Sequence, residues 1–107
     1  MLKEMDELEK SKIYTQCVSL WGIYPQMMMI VEEFAELLVA ISKYDRAQAN
    51  ADDIAGELAD TRIMMNQLMH IIGITESQVK EKEIEKMDRL KERIEKDLER
   101  RKNRGKD

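Results

Sequence analysis

The chain has 107 residues, 43% hydrophobic and 37% charged, with a net charge of -4. That fits one domain with a modest core and excludes both a disordered chain and a general nucleic-acid binder. The single cysteine, Cys17, excludes an internal disulfide and points to a reducing, cytoplasmic setting.

No apolar run reaches the length of a membrane span, so no membrane partner is expected. The charged stretch from Met1 to Lys10 lacks the apolar segment of a signal peptide. Four Gly and one Pro leave few places to turn, so the elements should be long and helical.

The first predicted helix runs from about Leu2 to Trp21, with Met5, Leu8, Ile13, Cys17, Leu20 and Trp21 at roughly helical spacing. Gly22 ends it, and Pro25 suits the first turn of the second helix, which continues to Tyr44. The polar stretch Asp45 to Ala51 is short, so the second and third helices should be antiparallel neighbours. The third starts near Asp52 as N-cap and stops at Gly73. The fourth opens on the capping box Thr75-Glu76-Ser77-Gln78 and reaches about Arg101. The expected architecture is all-α: one four-helix, bundle-like domain over 1–102, followed by a frayed polar tail over 103–107.

The second helix is unusual. Met27 to Ile41 is apolar except for Glu32, Glu33 and Glu36, and acids in such a setting need a positive partner. Helical neighbours lie three and four residues away, and none of those of Glu33 or Glu36 is cationic. Glu57 and Asp60 repeat the three-residue spacing on the third helix, again without a local cation. At that spacing two side chains diverge by roughly 60° around the axis. Two antiparallel helices then present four carboxylates, Glu33, Glu36, Glu57 and Asp60, toward one point. Hard oxygen ligands suit Mg²⁺ or Mn²⁺. The plainer alternative is that the acids face solvent or meet Lys or Arg from other helices. The residues alone leave both readings open. The fourth helix sets a contrast, since Glu76, Glu85 and Glu92 each have a base four residues on.

A di-iron bundle would need Glu-x-x-His motifs, and the sole histidine, His70, completes none. It reads as a packed or capped side chain. The glycines are isolated, so no phosphate-binding loop is present. Lys43, two turns beyond Glu36, is a candidate phosphate contact, with a solvated helix end as the alternative. Gln26, seven residues before Glu33, is a candidate for reading a base edge. Trp21 is either a stacking surface for a base or core, and Met27, Met28 and Met29 either line a pocket or fill the core.

Glu32-Glu33-x-x-Glu36, followed some twenty residues on by Glu57-x-x-Asp60, resembles the motif of the MazG-like all-α nucleoside triphosphate pyrophosphohydrolases. The likeness runs from about Tyr14 to Leu98. It includes Trp21-Gly22 followed by Gln26, the Ser42-Lys43-Tyr44 ending, the run from Ile63 to Leu68, and Asp88-Arg89-Leu90-Lys91. It is the short, single-domain form that the chain resembles.

The resemblance implies a homodimer or dimer of dimers and a Mg²⁺ site built from Glu33, Glu36, Glu57 and Asp60. Glu32 would assist in the second rank or as a base. The implied reaction converts a nucleoside triphosphate to its monophosphate and pyrophosphate. Two alternatives stand beside it. One is an enzyme of the same fold, dUTPase-like or phosphoribosyl-ATP pyrophosphohydrolase-like. The other is a non-enzymatic helical interaction module.

Overall fold

A computed structural model describes residues 2–105, which form four helices and no strand. They are α1 (Glu7–Trp21), α2 (Ile23–Asp45), α3 (Ala51–Ile72) and α4 (Glu76–Arg104). The chain divides into two compact units, one ending at Gly73 and the other beginning at Ile74, where the sequence reads as one domain.

Capping chemistry sets the boundaries. The Asp6 carboxylate accepts the Glu9 backbone N–H at 2.8 Å, so α1 starts at Glu7 and not near Leu2. Gly22 adopts φ 89°, which a side chain would resist, and joins α1 to α2 without a loop. Pro25 falls in the first turn of α2, where its missing N–H costs nothing. At α3 the cap is Asn50, not Asp52. Asn50 and Asp53 exchange side-chain-to-backbone hydrogen bonds, each of 2.9 Å, in a full capping box. Gly73 closes α3 in the left-handed region.

In the first unit, α2 and α3 form the main packed pair and α1 leans against both. Gln67, late in α3, meets Gln26, early in α2, so the two helices run antiparallel. His70 ties α3 to α1. Its Nε2 lies 3.0 Å from the Thr15 hydroxyl, and its ring packs on Tyr14 at 5.9 Å. The Thr15 hydroxyl also lies 3.0 Å from the Ser11 carbonyl, so it stands between α1 backbone and His70.

The buried set is small and mostly polar. Ile30 and Ala40 are its apolar members, and Gln26, Thr61 and Gln67 its polar ones. Many apolar side chains are half-buried or exposed. Along α2, Tyr24, Met28, Val31, Ala35, Leu38 and Ser42 form an exposed stripe with no charge in it.

The second unit is α4 with its leading turn. Thr75 and Gln78 build the expected capping box. The helix continues to Arg104, so Asn103 and Arg104 are helical and not tail, and residues 106–107 lie outside the described residues. Ile84, Met87, Leu90, Ile94 and Leu98 make the expected apolar stripe, all of it exposed.

Candidate metal centre

The acids of the second helix occupy two positions on its inner edge because helical geometry puts Glu33 and Glu36 a turn apart on one side. The antiparallel register of α3 brings Glu57 to the same point. Carboxylate oxygens of Glu33, Glu36 and Glu57 lie within 4.8 Å of one another. Glu33 and Glu57 are half-buried and Glu36 is exposed. The turn that carries Glu57 is held by the Thr61 hydroxyl, which donates to the Glu57 carbonyl at 2.8 Å.

One oxygen of each half-buried acid, Oε2 of Glu33 and Oε2 of Glu57, is sealed from solvent with no hydrogen-bond partner. Buried carboxylate oxygens almost always have a donor or a cation beside them. Among the described residues the ion pairs are Lys10–Glu7 and Arg100–Asp97, and neither touches this cluster. The electrostatic consequence falls on Glu33. Burial, then the charges of Glu36 and Asp60, the adjacent Glu36 carboxyl, and the charge of Glu57 all raise its pKa above the ordinary range.

Asp60 is exposed and stands outside the three-way cluster, yet it is close enough to act on Glu33. Glu32 is exposed. The donor set is entirely carboxylate oxygen, with two orphaned atoms and no ion pair to it among the described residues. Those residues fit a hard divalent cation of the Mg²⁺ or Mn²⁺ kind.

A cleft of about 390 Å³ continues from the acids along the α2–α3 hairpin. Its lining includes Glu36, Glu57, Lys43, Gln48 and Asp53. The cleft thus joins the carboxylates to a single lysine. A hollow of about 510 Å³ at α1 and α3 includes none of the candidate acids.

The other candidates sit elsewhere. Trp21 is 58% exposed at the α1–α2 junction, so it is surface and not core. Met28 and Met29 are exposed, and Met27 is half-buried. Gln26 does not line the cleft. It is inside the α2–α3 seam, and its amide oxygen accepts a hydrogen bond from Gln67 Nε2. Gln67 escapes a reading of motifs because its signal, one amide inside an apolar run, is silent until its partner is known. Comparison with protein-family models, with curated proteins and with solved structures found no match.

Proposed function

We propose that this chain is a Mg²⁺-dependent nucleoside triphosphate pyrophosphohydrolase of the MazG-like kind, working as a homodimer. The observation that carries the reading is the pair of orphaned, sealed oxygens on Glu33 and Glu57 beside Glu36, with no ion pair to the cluster among the described residues. The resemblance of the two acidic motifs supplies the reaction class.

In this reading Glu33, Glu36 and Glu57 would hold the metal, with Asp60 as a fourth acid just outside their cluster. A divalent cation held there would neutralise phosphate charge and lower the pKa of bound water. Lys43 meets a phosphate oxygen in the cleft, as a mobile point charge. Glu32, exposed beside Glu33, is the candidate proton acceptor for the attacking water. Water adds at phosphorus, the bridging bond between the first and second phosphates breaks, and pyrophosphate leaves. The base lies toward the Trp21 end of α2, where an exposed indole offers a stacking face.

The dimer reading rests on the uncharged outer stripe of α2. A unit that buries two apolar side chains while exposing Val31 at 58% and Leu38 at 68% has its larger apolar surface outside. A two-fold pairing would cover that stripe. The same stripes favour the second reading, a helical interaction module without activity.

The test is turnover across a panel of ribo- and deoxyribonucleoside triphosphates, dUTP and phosphoribosyl-ATP, with and without Mg²⁺, reading pyrophosphate and orthophosphate separately. Pyrophosphate release dependent on Mg²⁺ is the expected result. A module would show no turnover and no gain in stability from Mg²⁺.

A further inference from the structure

The α2–α3 seam buries two long amides where helix pairs usually bury aliphatic side chains. Gln26 is 2% exposed and Gln67 is 1% exposed, the most deeply buried large side chains described. One hydrogen bond joins them across the seam, donated by Gln67 Nε2 to Gln26 Oε1. Their places along the chain match those of the acids. Gln26 precedes Glu33 by seven residues, and Gln67 follows Asp60 by seven. Seven residues is close to two helical turns, so each glutamine shares a face with an acid. The register that joins the amides is therefore the register that brings Glu33 and Glu36 to Glu57.

We infer that the Gln26–Gln67 pair is a register lock for the α2–α3 hairpin, and that both glutamines are positioning residues for the carboxylate cluster. The second half of this inference rests on the metal-site reading. The apolar lining of the seam sets register less sharply than a paired amide. Ile, Leu and Met side chains along α2 and α3 offer several near-equivalent packings one turn apart. An amide pair admits one. Any slip separates donor from acceptor and leaves two buried amides unpaired, which is far costlier than exchanging one aliphatic contact for another. A buried polar pair that fixes register is the best-attested use of such groups. The Thr61 hydroxyl cannot do this work, because its bond to the Glu57 carbonyl lies within α3.

The experiment replaces each glutamine by methionine, close in volume and without an amide: Gln26→Met, Gln67→Met, and both together. Register is read in the full chain with Cys17→Ser, carrying spin labels at the exposed positions Tyr24 and Leu58 and diluted with unlabelled chain. Mg²⁺ affinity is read by calorimetry, and stability by melting of the metal-free protein.

The single variants should melt lower, since each strands one amide. The double variant should recover the melting temperature. It should nonetheless show a broadened or shifted distance, by roughly one turn of 5.4 Å, and Mg²⁺ binding weakened roughly tenfold or more. A merely structural role predicts that affinity returns with stability.

An unchanged distance distribution in the double variant overturns the lock. A changed distribution with wild-type Mg²⁺ affinity overturns the positioning role. A wild type that binds no Mg²⁺ overturns the metal reading and the positioning role with it, while the distance measurement still decides the lock.

Discussion

Glu33 and Glu57 face each other across the α2–α3 seam, each with one carboxylate oxygen sealed from water and without a donor. That arrangement costs free energy in the metal-free protein and is relieved by anything that brings a proton, a donor or a cation.

Replacing Glu57 by Gln removes one charge and supplies an N–H donor. The metal-free Glu57→Gln protein should therefore be more stable, by about 1 kcal/mol, which raises the melting temperature by about 4–8 °C in a domain of this size. The same variant should lose the rise in melting temperature that Mg²⁺ gives the parent. Differential scanning calorimetry with EDTA and with Mg²⁺ measures both. A metal-free variant that melts below the parent would contradict the account of the cluster.

The raised pKa of Glu33 gives a sign for pH dependence. Its folded value lies above its ordinary value of 4.5, so folding favours the protonated acid. That contribution is fully present below the unfolded pKa and is lost as pH rises through the folded one. The metal-free protein should gain stability from this group as pH falls toward that window. Mg²⁺ binding should move the other way, because the cation displaces the proton. Calorimetric titrations carried upward from the ordinary value of 4.5 should show affinity rising with pH and protons released on binding. Affinity that is flat over that range would remove Glu33 from the ligand set.

Much of this was legible in the residues, and the misses have physical causes. Helix order followed from Gly22, Pro25, Gly73 and the Thr75–Gln78 box, each of which has a strong local preference. The start of α1 was misplaced because Met5 fits the apolar period, while Asp6, the cap, ends it. The α3 cap moved from Asp52 to Asn50 because the reciprocal bond needs an acid three residues on, and Asp53 serves Asn50. The meeting of Glu33, Glu36 and Glu57 was one of two readings that spacing left open, and Asp60, expected with them, stands outside it. The burial of Gln26 did not, since a face can be read from spacing but a cross-helix partner cannot.

Assembly offers a prediction at the outer stripe of α2. Leu38 is 68% exposed and Val31 58% exposed, on a face without charge. In a homodimer whose interface includes this face, Leu38→Glu puts a charge against its own copy and should shift the protein to monomer. Light scattering at micromolar concentration should report a dimer for the parent and a monomer for the variant. A parent that is already monomeric would count against the dimer and favour a different occupant for the stripe.

The reaction itself is tested at Glu36 and Asp60. Both are exposed, so their removal leaves no cavity in the buried set. Glu36 belongs to the tight cluster and also lines the cleft that reaches Lys43. Asp60 acts on Glu33 by charge. Glu36→Ala and Asp60→Ala should each lower kcat/KM by about a hundredfold or more. Helicity by circular dichroism should hold or improve, because each change relieves repulsion among acids. Lys43→Ala should act differently, raising KM more than it lowers kcat, if Lys43 grips phosphate in both ground and transition states. The product identifies the chemistry. Attack between the first and second phosphates releases pyrophosphate, whereas removal of the terminal phosphate alone releases orthophosphate. A parent that releases only orthophosphate, or a Glu36→Ala protein with parental rates, would refute the proposed function at its centre.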